Sequence, residues 1–222
     1  MGHPVEVIEL GLVPYAEGLD LQERAIEERR AGDRGDVLFL LEHPPVVTLG
    51  RGSRPENLLV SREELAARGV GLFEARRGGD VTYHAPGQLV GYPVLDLEAR
   101  GQPDLHAHLR RLEAVLCDAL RSLGVPPRTV PGRTGVFVDD PEPAAAPRKI
   151  ASIGVGARGW VTSHGFALNV DLDLAGFGCI VPCGLDDVAM TSVVAELGSD
   201  ARPDLPARTR AAVRSAFARH FG

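Results

Sequence analysis

The sequence predicts one mixed α/β domain, a β-sheet flanked by helices, and three observations carry that expectation. Val37-Leu38-Phe39-Leu40-Leu41 and Val46-Val47-Thr48-Leu49 are short continuous apolar runs, the pattern of strands covered on both faces. Leu105 to Leu123 carries one apolar stripe of helical period: Leu105, Leu109, Leu112, Leu116, Ala119 and Leu123. No linker composition or internal repeat divides the 222 residues, a length that suits one domain spanning 1–222 with a sizeable core.

In chain order, Val5 to Leu10 alternates like a half-buried strand, and Asp20 to Ala31 is charged and helix-prone with Leu21, Ala25 and Ile26 on a narrow apolar side. Pro44-Pro45 separates the two apolar runs. Ser61-Arg62-Glu63-Glu64 spells a capping box that opens a short helix ending near Gly69. Strand patterns follow at Val70–Phe73, Val81–Tyr83 and Leu89–Leu95. The long helix then stops at Gly124. Strands resume at Gly135–Val138, Lys149–Val155 and Trp160–Val170, and a last helix runs from about Pro206 to Phe221. The polar Pro/Ala stretch at 139–147 reads as an exposed hairpin tip, because strand patterns flank it on both sides.

Composition excludes several function classes. Hydrophobic residues at 44% and charged residues at 24% are those of a globular chain, not a disordered one. No apolar run approaches the ~18 residues of a membrane span. Met1 to Leu12 carries Glu6 and Glu9 without a basic region, so it does not read as a secretory signal. Three cysteines do not make a disulfide framework, and a cytoplasmic, reducing setting is expected. A net charge of −6 argues against nucleic acid as partner.

Of 24 basic residues, a single one is lysine, Lys149. Asn and Gln are also scarce, with Asn57, Asn169, Gln22, Gln88 and Gln102 the full set. A coding bias towards Arg explains the background and leaves chance as an equal account of the one lysine. Yet Lys can be tuned by burial and can give up its proton, whereas Arg cannot.

Four local patterns bear on chemistry. Arg76 to Gln88 places paired glycines between a basic pair and a strand presenting Thr82, Tyr83 and His84, which reads as a substrate-lining loop more than as a plain turn. Gly154-Val155-Gly156-Ala157-Arg158-Gly159 spells a dinucleotide fingerprint, but Trp160 to Phe166 is strand-like where that fingerprint needs a helix, so a hairpin is expected. Cys179 and Cys183 lack the second pair a closed zinc site requires; His164 is isolated, and His106 and His108 diverge on their helix. Cys117 reads as inert core. Cys183, between Pro182 and Gly184, sits at an expected turn where a thiol can be accessible and where a nearby cation would make it nucleophilic, although on composition alone a structural role leads.

The stretch Arg77-Gly78-Gly79-Asp80-Val81-Thr82-Tyr83-His84-Ala85-Pro86-Gly87-Gln88-Leu89-Val90-Gly91-Tyr92 resembles the signature of the lipoyl(octanoyl) transferases of lipoate biosynthesis. Further stretches fit in order: His43 to Gly50, Arg148 to Gly154, His164 to Val170, and Pro182-Cys183-Gly184. The likeness covers roughly residues 5 to 217. It implies the fold of the biotin/lipoate-protein ligase catalytic domain, a mixed sheet with flanking helices. It also implies the reaction, in which octanoyl passes from acyl carrier protein to a lysine amine on lipoyl domains of 2-oxoacid dehydrogenases or the glycine cleavage H protein.

By the same resemblance Cys183 corresponds to the acyl-thioester nucleophile and Lys149 to the group that lowers its pKa. Arg77, Gly78, Gly79, Asp80, Val81, Thr82, Tyr83, His84, Ser152, Ile153, Gly154, Gly165, Phe166 and Ala167 correspond to the substrate contacts. No cofactor is implied, because thioester exchange is near balance and aminolysis runs downhill without ATP or metal. The competing expectation is an ATP-dependent lipoate or biotin ligase on the same fold. Arg76, Arg77 and Arg111 are expected to meet an acidic carrier protein.

Overall fold

The computed structural model describes residues 4–140, 142, 146–182 and 188–222. Among the described residues ten strands and five α-helices follow in the order β1 (Val5–Leu12), α1 (Tyr15–Ala31), β2 (Asp36–Glu42), β3 (Val46–Leu49), α2 (Arg62–Ala67), β4 (Gly71–Glu74), β5 (Val81–His84), β6 (Gln88–Val94), α3 (Leu105–Leu123), β7 (Arg128–Val130), β8 (Arg133–Val138), β9 (Arg148–Arg158), β10 (Val161–Asn169), α4 (Val193–Leu197) and α5 (Leu205–Phe221). They build a seven-stranded sheet in the order β1-β2-β6-β10-β9-β8-β7 and a three-stranded sheet in the order β4-β3-β5. Both sheets are mixed, with β1/β2 and β3/β4 parallel among antiparallel pairs.

The period-2 rule explains why the apolar runs are continuous. In β2, Leu38 and Leu40 face a core shared with Leu112, Val115 and Leu116 of α3 and Val213 and Phe217 of α5. Val37, Phe39 and Leu41 face the opposite way, against Ala25 and Ile26 of α1. Pro44-Pro45 ends β2 pairing, and the chain passes into β3 at the centre of the small sheet. Ser61 caps α2 and Asp104 caps α3 through their side chains, and Gly124 closes α3 in the left-handed region at φ 94°.

Helix α1 begins at Tyr15, five positions earlier than its charge pattern indicates. Gly18 is a poor helix former but packs against His43, where a Cβ would lie 2.9 Å from Cε1. The short β7 and α4 leave no periodic pattern to read. Gly159 and Trp160, both at positive φ, join β9 to β10 as a two-residue hairpin, so the glycine-rich 154–159 stretch is strand and turn. The strands either side of 139–147 pair as a hairpin, whose tip lies largely outside the described residues. No described helix is long and apolar enough to cross a membrane.

Candidate active site

A cavity of about 250 Å³ opens between the two sheets. One wall is the loop from β4 to β5, and its conformation follows from arginine and glycine chemistry. The Arg77 guanidinium is buried and donates to the backbone oxygens of Thr48 (2.8 Å) and Asp80 (2.7 Å) and to Thr48 Oγ1 (2.8 Å). Gly79 turns the chain at φ 81°. The loop lies flat on β9 because Gly154 and Gly156 carry no side chain; a Cβ on Gly154 would come within 3.0 Å of the Gly78 oxygen. Gly78 N donates to Val155 O at 2.8 Å, closing the seam. Asp80 accepts from the Val81 and Arg54 amides and from the Asn57 side chain, and Asn57 O accepts from Val181 N at 2.9 Å.

Lys149 supplies the second wall. It is 2% exposed, with its ammonium 5.5 Å from the centre of the Phe137 ring. Phe137 pairs with Lys149 and Val136 with Ala151, so β9 carries one extra residue there. That bulge turns Ile150 and Ala151 together into the apolar core and leaves Lys149 on the face of Ser152 and Gly154. Gly135, at φ 127°, makes the room: a Cβ there would lie 2.7 Å from Lys149 Cε. On its other side Lys149 N donates to Ala189 O (2.8 Å) and its carbonyl accepts from Thr191 N (2.9 Å).

The floor is a cluster of buried aromatic and imidazole rings. Tyr15 stacks on His84 with ring centres 6.2 Å apart, and His43 stands edge-on to both. Burial lowers the His43 pKa; its Nδ1–H donates to Val13 O (2.7 Å), so Nε2 accepts from the Tyr92 hydroxyl (2.7 Å). Burial, with His43 beside it, pushes His84 down to about 3, and its Nδ1–H donates to Gln88 Oε1. Gln88 donates to Tyr83 O and Asn169 Oδ1, and Asn169 donates to Thr191 O. This chain of directed bonds runs from His84 to the residue that holds the Lys149 backbone. His164, at φ 56°, is lowered to about 4 by burial and by Arg77 and Arg51, and its amide donates to Gln22 Oε1.

Every described residue assigned to the site by resemblance lines this cavity except Tyr83. Tyr83 packs against Phe177, 5.5 Å between ring centres, in the small sheet's own core. Cys183 lies outside the described residues. Tyr15, Val90, Tyr92, Gly132, Arg133, Thr134 and His164 also line the cavity without having been singled out as contacts. Of the arginines expected to meet a carrier protein, Arg76 is exposed, but Arg77 is buried as a loop brace and Arg111 lies over the Phe221 ring, away from the cavity. Cys117 and Cys179 are buried free thiols. Among the described residues no group of three or more His, Cys, Asp or Glu is placed to hold a metal ion.

The family model of the lipoyl protein ligase A/B catalytic domain matches residues 14–222. An octanoyltransferase of Acidobacterium capsulatum is 46% identical over 224 residues, covering 98% of this chain and 89% of that protein. An octanoyltransferase of Geobacter sulfurreducens is 47% identical over 218 residues, covering 96% and 83%. Among solved structures, a bi-partite lipoate protein ligase from Thermoplasma acidophilum superposes with a TM-score of 0.73 at 20% identity, over 98% of this chain and 84% of that one, a likeness of fold. The chain belongs to the lipoyl protein ligase A/B catalytic-domain family, and within it to the octanoyltransferases.

Proposed function

We propose that the protein is an acyltransferase that moves octanoyl from acyl carrier protein to the lysine amine of a lipoyl domain, through a thioester on Cys183 assisted by Lys149. The observation that carries this reading is the convergence of widely spaced motif residues on one cavity that holds the chain's single lysine, buried, in its wall. Described residues on either side of Cys183 are hydrogen-bonded to the walls of the cavity or to their neighbours. Val181 is hydrogen-bonded to Asn57, which also holds Asp80, and Ala189 and Thr191 are bonded to the Lys149 backbone.

In the first half-reaction the Cys183 thiolate attacks the carbonyl carbon of the carrier thioester; the carrier sulfur leaves with the electron pair and takes up the proton of the Lys149 ammonium, which leaves Lys149 neutral. The Lys149 ammonium favours the thiolate, as an opposite charge within ~4–6 Å does. In the second half, the acceptor amine attacks the acyl-cysteine carbonyl, the Cys183 sulfur leaves, and neutral Lys149 takes the amine's proton. Arg would hold the charge but could not perform that step. The apolar cavity selects the chain: at about 0.8 kcal/mol per buried CH₂, six methylenes contribute roughly 5 kcal/mol that acetyl lacks.

The test is the intact mass of the protein after incubation with octanoyl-carrier protein, followed by peptide mapping. A one-octanoyl increment on the peptide containing Cys183, absent in Cys183→Ser, is expected. No adduct, with AMP released from ATP and free octanoate instead, would identify a ligase and overturn the reading.

A further inference from the structure

Helix α3 carries one carboxylate on its buried side. Glu113, 2% exposed, shares that side with Leu112, Val115 and Leu116, where an ionised group is costly unless its oxygens are bonded. Both are. Oε1 accepts from the Gly135 amide at 2.9 Å, and Oε2 accepts from Nη1 of Arg110 at 2.6 Å. Nη2 of the same arginine donates to the Thr134 hydroxyl at 3.2 Å. Helix α3 is thus tied to two successive residues of β8.

Those two residues are the ones the sheet does not pin. Strand β7 pairs with β8 at Arg133 and Phe137, and β9 pairs with it from Val136 onwards, so neither ladder includes Thr134 or Gly135. A glycine outside the ladders is a loose link, because no residue loses more freedom on being fixed. The bond from Glu113 supplies the anchor that the strands do not.

Gly135 is also where the end of Lys149 rests. A Cβ there would lie 2.7 Å from Cε and 3.3 Å from Nζ, so the bare α-carbon closes the space beside the ammonium. A shift of Gly135 is therefore a shift of the surface against which the ammonium packs. Thr134 lines the cavity itself, whereas Glu113 does not.

We propose that Glu113 is a positioning residue for Lys149: from α3, outside the cavity, it anchors Gly135 and so fixes the ammonium for its work on the thiol. This rests on the acyltransferase reading above. The carboxylate acts through its reach, by placing an acceptor oxygen at the Gly135 amide. Its second oxygen serves Arg110, which is half exposed and can turn to water instead.

The experiment reads two quantities: the pH midpoint of Cys183 alkylation, peptide by peptide, and the rate of octanoyl loading. Wild type, Lys149→Met, Glu113→Gln and Glu113→Asp are compared. Gln keeps the reach and loses the charge; Asp keeps the charge and is one carbon too short for the Gly135 amide. Val213→Ala, which opens a cavity in the same core from α5, controls for general destabilisation. Glu113→Asp is expected to raise the Cys183 midpoint towards that of Lys149→Met and to slow loading by about tenfold or more, the scale on which a misplaced group is felt. Glu113→Gln is expected to stay near wild type in both. Val213→Ala should unfold at lower urea with its Cys183 midpoint unmoved. A wild-type midpoint in Glu113→Asp overturns the proposal, as does one that Val213→Ala moves equally far. A Gln variant that behaves like Lys149→Met also overturns it, a result that does not depend on Glu113→Asp folding. Absence of any acyl adduct on the wild-type protein would overturn the acyltransferase reading, and the proposal with it.

Discussion

The two sides of the molecule bury histidine in opposite ways. Between α3 and α5, His108 lies among apolar neighbours, 5.7 Å from the Phe221 ring centre, and neither ring nitrogen has a hydrogen-bond partner. Around the cavity, His43 and His84 are equally buried, yet His43 uses both ring nitrogens and His84 is held by Gln88. The α3/α5 side is held by non-directional apolar burial, which tolerates an idle polar group at a modest cost. The cavity side is held by directed bonds, so each group there has one orientation and its loss is felt by the next. The contrast separates residues that stabilise from residues that position.

Breaking the positioning side should cost most. Gly135→Ala would set a methyl 2.6 Å from the Ala151 oxygen and 2.7 Å from Lys149 Cε, at a φ that L-residues avoid. A loss of about 2–5 kcal/mol of stability is expected, with displacement of Lys149 and loss of transfer; urea unfolding and acyl loading measure the two. Gln88→Leu strands the partners of three hydrogen bonds, at His84, Tyr83 O and Asn169. It should cost about 3 kcal/mol and reduce activity even at temperatures where the variant is folded.

Acid should act on both sides. His84 is held down to about 3 and His108 and His164 to about 4, all below the ordinary value near 6.5. The unfolded chain therefore binds more protons than the folded one in that window. Their contribution is intact above about pH 6.5 and drains as pH falls towards 4 and 3, by up to about 1.4 kcal/mol per unit for each histidine. Urea midpoints at pH 7 and pH 5 check this, and a flat profile contradicts it. The smallest effect sharpens the contrast: His108→Leu should stabilise by about 1 kcal/mol, because it removes two unpartnered nitrogens, and should lessen the acid loss by one histidine's share. Destabilisation would show that His108 does more than fill space.

Much of the fold was legible because its signals are local. The apolar runs of β2 and β3, the stripe of α3, the cap at Ser61 and the stop at Gly124 each follow from period or backbone chemistry. The site was legible in part. Strict alternation sets Lys149 opposite Ser152 and Gly154, and the bulge that reunites them leaves no mark in the sequence. Among the described residues assigned to the site, Tyr83 is the one that the cavity wall lacks; it packs instead in the core of the small sheet.

One signal was present and unused. In a chain poor in amides, Asn57, Asn169, Gln22 and Gln88 are all buried and hydrogen-bonded around the site, and Gln102 alone among the five is exposed. Scarcity here was information about position, as it was for the single lysine.

The partnership of Lys149 with Cys183 is tested most directly by the pH dependence of thiol alkylation, read peptide by peptide in wild type and Lys149→Met. Cys117 and Cys179, whose thiols burial pushes up, serve as slow internal references. The Cys183 peptide is expected to react with a midpoint below that of an ordinary thiol in wild type, rising to the ordinary range in Lys149→Met. The same midpoint in both proteins would contradict the partnership.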